Sequence, residues 1–149
     1  MTIILLLAKE ISDPIMNKME DDVLMVNQAF YDAFAASDFS TLEALWAGID
    51  EVSVIHPGNT ALHGRQTVMM SWQQIFENSS THDIRSINAR AYTLGDMAYV
   101  VCNEIFPEGQ LIATNIFLLE DGKWRMVHHQ AGPDNQMGQA IAASTNSVH

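Results

Sequence analysis

Residues Gln110 to Ala131 read QLIATNIFLLEDGKWRMVHHQA, two apolar-rich runs, Leu111–Glu120 and Lys123–Gln130, on either side of Asp121-Gly122. Asp-Gly between such runs predicts a β-hairpin with a two-residue type I′ turn. If Glu120 and Lys123 close that turn, Leu119 faces Trp124, Phe117 faces Met126, Asn115 faces His128 and Ala113 faces Gln130. These side chains share one face. The other face carries Ile112, Thr114, Ile116 and Leu118 against Arg125, Val127 and His129. Both faces are apolar enough to need cover, a helix for one and a second subunit for the other. The first face sets an amide beside an imidazole among apolar residues, as a small-molecule pocket is lined.

The rest of the chain supplies the cover. Between Met19 and Ala36, Val23, Val26, Phe30, Ala33 and Phe34 recur at helical spacing behind Glu20, Asp21 and Asp22, which complement the helix dipole. Ser40 and Glu43 read as a capping box for a short helix, Thr41–Trp46. Val52–His56 is a β run stopped by Pro57-Gly58, Asn59–Gly64 a loop, and Arg65–Asn78 a helix with Val68, Met69, Trp72, Ile75 and Phe76 on one side. Strands follow at Ile84–Thr93 and Met97–Phe106, turning at Gly95-Asp96 and Pro107-Glu108-Gly109, and then the hairpin. Three helices before an antiparallel meander give an α+β domain with the helices on one side of the sheet. Residues 1–18 read as an N-terminal extension, 19–133 as the domain and 134–149 as a tail.

Composition narrows the function. One domain fits 149 residues. A net charge of −11 with 7 Lys+Arg excludes a phosphate-backbone partner, so no nucleic acid is expected. Ile3–Ala8 is too short an apolar run for a membrane span or a signal peptide, and the lone Cys102 suits a reducing compartment, so a cytoplasmic protein without membrane attachment is expected. The histidines have no metal-ligand spacing, since His128 and His129 point to opposite faces of a strand. No phosphate-cradling glycine loop, dinucleotide fingerprint or Ser-His-Asp signature is present, and no metal or cofactor is expected.

The order of FYDAFAASDFSTLEALWA, DEVSVIHPGNTALHGRQTV, SWQQIFEN and LLEDGKWRMVHHQAGP over residues 19–133 resembles the NTF2-like superfamily, in particular SnoaL-like and ketosteroid isomerase-like domains. The last two stretches also resemble the association domain of calmodulin-dependent kinase II. The resemblance implies a cone, a curved antiparallel sheet wrapped around helices, with a pocket inside and a convex face that dimerises. Ketosteroid isomerases carry a base before a proline at the end of the first strand, and that place here is His56-Pro57. Their oxyanion-donating acid falls at Asn115, and their tyrosine donor at Phe30 with Tyr31 next to it.

His56 is therefore the candidate general acid/base, Asn115 the polarising donor and His128 a ligand-orienting or proton-relaying group. The plainer readings are a strand-end histidine bonded to a loop carbonyl, and an Asn115–His128 pair that satisfies itself in the core. Phe30, Tyr31, Trp72, Phe76, Phe117, Trp124 and Met126 are the expected pocket walls. Which of Asn103 and Glu104 faces inward stays open by one residue of register. Two functions stay open as well: an isomerase, lyase or cyclase acting on a small apolar or polar-apolar molecule, or a non-catalytic ligand-binding or dimerisation module. The self partner is expected to be a homodimer through Ile112, Thr114, Ile116, Leu118, Val127 and Ala131.

Overall fold

Asp121 and Gly122 hold φ values of 51° and 77°, the left-handed pair that a type I′ turn requires, and Glu120 pairs with Lys123 across it. From that turn the chain builds one sheet. The computed structural model describes residues 2–134, with side chains from Pro14 onward; the side chains of Ile3–Ala8, and all of the tail beyond Asp134, lie outside the described residues. The elements are α1 (Thr2–Ala35), α2 (Phe39–Leu45), β1 (Ser53–Ile55), β2 (Ala61–His63), α3 (Arg65–Glu77), β3 (Arg85–Leu94), β4 (Met97–Phe106), β5 (Gly109–Glu120) and β6 (Lys123–Pro133).

The six strands lie in the order β2-β1-β6-β5-β4-β3. All pairings are antiparallel except that of β1 with β6, where Ser53, Val54 and Ile55 run parallel to His128, His129 and Gln130. The sheet curves, and two irregularities help it to do so: one in β3 between Ile87 and Arg90, where Asn88 takes φ 55°, and one in the β5–β6 ladder. The helices cover the concave face. Val23, Phe30, Val68 and Trp72 of α1 and α3, all fully buried, meet Val100, Ala113, Phe117 and Met126 of the strands, equally or almost wholly buried. The architecture is the α+β arrangement expected.

Four local expectations are corrected. The loop expected at Asn59–Gly64 contains β2, because Pro57-Gly58 turns the chain back far enough for Ala61–His63 to pair with β1. The cap of α2 is Asp38 rather than Ser40: its carboxylate accepts from Thr41 N at 3.2 Å and from Thr41 Oγ1 at 2.6 Å, so the helix starts earlier. Helix α1 starts well before Met19, with Pro14 inside it; a proline removes one N–H and strains the preceding turn.

The fourth correction is the hairpin register. Phe117 faces Met126 and Leu119 faces Trp124 as expected, but Ile116 then pairs with His128 and Asn115 with His129. Val127 is the extra residue of a β-bulge. Beyond it every residue of β6 changes face: His129 and Ala131 turn into the core, 2% and 4% exposed, while His128 and Gln130 go outside. Ala131 therefore leaves the expected outer patch, and Val127, 9% exposed at the bulge, adds little to it.

Candidate functional site

Five polar side chains gather at mid-depth in the apolar interior. Asn27 and Tyr31 come from α1, Glu104 from β4, Asn115 from β5 and His129 from β6, each no more than 2% exposed. On α1 they lie one turn apart, on the face that also carries Val23, Phe30 and Phe34. On the strands they are the inward members of the two-residue alternation Ala98, Val100, Cys102, Glu104. Buried amide and carboxyl groups are costly unless paired, and here they pair with one another.

The hydrogen bonds can be assigned from donor chemistry. Asn115 Nδ2 donates to Asn27 Oδ1 at 2.8 Å and to the Tyr31 oxygen at 3.2 Å. Tyr31 donates its hydroxyl proton to Glu104 Oε2 at 2.6 Å. The amide oxygen of Asn115 has no proton to give, so the 2.5 Å contact with His129 Nδ1 is an imidazole N–H donating to it. That tautomer leaves His129 Nε2 as a bare lone pair, 3.8 Å from Glu104 Oε2.

Burial sets the charges. It pushes the Glu104 carboxyl up to about 7, against the opposing pull of the Tyr31 hydrogen bond. It pulls His129 down to about 3, helped by the nearby His56 and His128. Tyr31 is driven far above the usual phenol range by burial and by the Glu104 and Cys102 charges. Near neutral pH the imidazole is thus uncharged, the phenol keeps its proton and Glu104 divides between acid and carboxylate. His129 and Glu104 are not an ion pair. Cys102 Sγ lies 3.4 Å from the Tyr31 oxygen, and burial raises the thiol as well.

His56 stands apart, half-buried at the end of β1. Ser71 spends its proton on Val68 O at 2.7 Å, so His56 Nε2–H donates to Ser71 Oγ at 2.9 Å, which leaves Nδ1 as the basic nitrogen. Burial lowers its pKa. A concavity of about 320 Å³ opens beside it, lined by Asn59, Thr60, Leu62, Gln74, Ile75 and Asn78 along with His56 and Ser71. Trp72 separates this rim from the interior: its ring packs edge-on against His56 at 4.8 Å and lies 5.5 Å from His129. Trp72 is fully buried, and its indole N–H has no partner among the described residues.

Of the residues expected at the site, the structure brings Tyr31 and Asn115 into the polar cluster and puts Phe30, Trp72 and Phe117 around the core it sits in. Phe30 packs edge-on against Tyr31 at 5.0 Å and tilted against His129 at 5.2 Å. Met126 and Trp124 are buried further toward the hairpin turn, and Phe76 lies beyond Trp72 at 6.2 Å. His128 is placed on the opposite side of the sheet, where its Nδ1 meets Ser53 Oγ at 2.7 Å. The place of the family's tyrosine donor, at Phe30, carries no phenol, and the hydroxyl of Tyr31 next to it lies in the cluster. The open choice on β4 falls to Glu104, while Asn103 is half-buried on the outer side. Asn27 and His129 were missed by sequence reasoning. Asn27 was legible, since it falls on the apolar face of α1 one turn before Tyr31.

Among the described residues no group of three potential metal ligands occurs, and no helix is long and apolar enough to cross a membrane. Comparison with known proteins places the fold. A crystal structure of a candidate dehydratase of the NTF2-like family from Streptomyces avermitilis is 28% identical, covering 80% of this chain and 98% of that one with a TM-score of 0.73. A candidate calcium/calmodulin-dependent protein kinase type II association domain from Thiobacillus denitrificans is also 28% identical, over 74% of this chain and 93% of that one, with a TM-score of 0.65. The F-box protein SKIP8 of Arabidopsis thaliana is 29% identical over 111 residues, 73% of this chain and 48% of that protein. The chain thus spans about half the length of that curated relative. The fold is NTF2-like. The SnoaL-like domain model matches residues 23–133, the same helices and sheet that enclose Asn115, and the chain belongs to that family.

Proposed function

We propose that this domain binds a small polar-apolar molecule at the Asn115 cluster and acts on it as an isomerase, lyase or cyclase. One observation carries the reading: uncharged donors and a bare imidazole nitrogen converge in a buried, apolar interior where packing alone would be met by hydrocarbon. Asn115 Nδ2 donates to the Tyr31 oxygen and Tyr31 donates to Glu104, so a carbonyl oxygen inserted between Asn115 and Tyr31 would take over the amide N–H, and would receive the phenol proton as well once Tyr31 turned from Glu104. His129 Nε2 offers a ligand a hydrogen-bond acceptor on the inner side of Trp72, and His56 Nδ1 a basic nitrogen on the rim side. His56 is the general acid/base in this reading, and the unpartnered Trp72 N–H is a further donor for the ligand. The lone buried thiol supports a reducing, cytoplasmic setting.

The test is a small-molecule screen of cyclic enones and hydroxyacyl compounds by ¹⁵N NMR, following the Asn115 side-chain amide. Binding that shifts this signal, and turnover that Asn115→Leu and His56→Gln both abolish, is the expected result. Compounds that turn over unchanged in both variants would sink the reading.

A second reading, an association module, is favoured by the outer sheet face. Val101 and Ile112 are 38% and 43% exposed there, next to Thr114, Ile116 and Leu118 and to Tyr92 stacked on Tyr99 at 4.8 Å. A homodimer would bury this face in an interface above roughly 1,000 Å². The two readings are compatible. Ile116→Asp should shift the molecular mass in light scattering from dimer to monomer; a monomeric unsubstituted protein at micromolar concentration would remove this one.

A further inference from the structure

Glu104 is the one carboxyl in the polar cluster, and two groups converge on its Oε2. Tyr31 donates its hydroxyl to that oxygen at 2.6 Å, and His129 Nε2, whose ring proton sits on Nδ1, faces it at 3.8 Å. An ionised carboxylate only accepts, so Oε2 and Nε2 then meet as two acceptors with no proton to share, and they stand apart. A protonated carboxyl is a donor, and the lone pair of Nε2 is the acceptor in front of it. Closing the gap to hydrogen-bond length takes a shift of about 1 Å. The surroundings leave that proton to Glu104. Besides Tyr31 and His129 it is faced by Ser86 opposite it on β3, by Leu111 opposite it on β5 and by Cys102 on its own strand. Burial keeps the Tyr31 phenol and the Cys102 thiol protonated and His129 uncharged near neutral pH, and His56 and His128 push His129 the same way. Among the described residues no Lys or Arg pairs with Glu104.

We infer that Glu104 is a positioning residue of this site: ionised, it holds the Tyr31 proton, and protonated, it turns its own proton to His129 Nε2 and releases the phenol to donate to a ligand oxygen. A charged acceptor binds a donor roughly twice as strongly as a neutral one, so Tyr31 stays with the carboxylate and is readily lost from the acid. Within the cluster the released hydroxyl finds Cys102 Sγ at 3.4 Å, a weak acceptor that a ligand oxygen outcompetes. Asn115 Nδ2 already donates to the phenol oxygen at 3.2 Å, so a ligand oxygen entering there meets both donors together. The proton comes from water, and none passes to His129. Burial sets the Glu104 carboxyl near 7, which puts the change at neutral pH. Above it, a ligand that needs the released phenol loses about tenfold in affinity per pH unit, as the protonated fraction falls. This consequence for ligands rests on the reading of the Asn115 cluster as the binding site.

The switch is read without a ligand, on protein labelled with ¹⁵N in the histidine rings and ¹³C at the tyrosine ζ-carbon, titrated by NMR over about pH 5.5 to 8.5. The His129 Nε2 and Tyr31 ζ-carbon signals are expected to move together through one midpoint near 7, with the imidazole keeping the shifts of an uncharged ring. Glu104→Gln, which can present an amide N–H to Nε2 at every pH, should hold both signals near their low-pH positions. His129→Leu, which removes the acceptor, should lower the Tyr31 midpoint by about half a unit or more. A Tyr31 signal flat over the range, a midpoint that survives Glu104→Gln, an unmoved midpoint in His129→Leu, or one at which the His129 ring itself becomes charged would each overturn the inference. The unsubstituted protein decides by itself if a variant does not fold. A flat titration leaves the binding reading standing, whereas a screen without a binder fails that reading and leaves this titration to decide the switch.

Discussion

The two ends of the β5–β6 hairpin obey the same alternation and give opposite answers about neighbouring residues. Near the turn, Leu119 faces Trp124 and Phe117 faces Met126, as a straight ladder from Asp121-Gly122 requires. Past Val127 the ladder is displaced by one, and His129 replaces His128 as the partner of Asn115. The consequence reaches chemistry: one histidine is 2% exposed with a pKa near 3, while its neighbour sits half-buried on the outer face against Ser53. A turn fixes register only as far as the first bulge. Which of two adjacent identical residues enters a site is then a backbone property, not a property of the side chains.

The contrast breaks most completely at its inner end. Asn115→Leu removes the group that joins Asn27, Tyr31 and His129, leaving several buried polar atoms without partners, and should cost about 3 kcal/mol or more in urea denaturation. His129→Leu, which strands the Asn115 oxygen alone, should cost about 2 kcal/mol, whereas His128→Ala, losing a half-exposed hydrogen bond, should cost about 1 kcal/mol or less. Equal costs for the two histidines would contradict the bulge.

The pH dependence of stability sharpens the comparison further. Glu104 binds a proton more tightly folded, near 7, than unfolded, near 4.5, so its contribution falls as pH rises between those values. His129 titrates near 3 when folded against 6.5 unfolded, so its contribution rises from pH 3 to 6.5. The two oppose each other over the middle of the range and separate at its ends. Denaturation midpoints should therefore rise up to about pH 4.5 and decline from about pH 6.5 to above 7. Glu104→Gln, which cannot ionise, should abolish the decline above pH 6.5, a change of less than about 1 kcal/mol there, and let stability go on rising between pH 4.5 and 6.5 while the limb below pH 4.5 stays in place. An unchanged upper limb in that variant would show that Glu104 is not the titrating group.

The smallest expected change is in pairing itself. Deleting Val127 should leave Asn115 opposite His129 and Ile116 opposite His128, because the deleted residue has no partner in β5. Cross-strand NOEs between residues 115 and 129 would persist. Their replacement by contacts between 115 and 128 would mean that the register is set by something other than the bulge.

What the sequence tells about this molecule follows from how each signal is stored. Element order and the inward set Trp72, Phe117, Trp124 and Met126 are written in apolar periodicity and in one turn dipeptide, both local, and they can be read. The bulge at Val127 has no such mark, since Val-His-His alternates equally well in either phase. Glu104 was legible in retrospect from Cys102, two residues earlier on the same strand and of a type that is most often buried. Tyr31 was harder, because Phe30 and Tyr31 both turn inward and only the polar partners on β4 and β5, far away in the chain, show which of them joins the polar cluster. Asp38 and Ser40 are equally good caps by type, and the choice between them was made by where the backbone leaves α1.

The parallel pairing of β1 with β6 has a consequence for how the molecule assembles in time. Ser53 and His128, joined across that pairing, are 75 residues apart, and β6 lies between the early strands and the meander. Until the last strand exists, β1, β2 and the helices packed on them have no sheet to join, while β3, β4 and β5 can already zip up from local turns. Closing so long a loop late is entropically demanding and slows folding. Refolding should therefore show an early phase in which the meander protects its amides and a slower one in which Val52–Ile55 acquires protection together with Trp46 and Trp72. A nascent chain halted before residue 123 would display the apolar faces of β1 and α3 to any chaperone nearby.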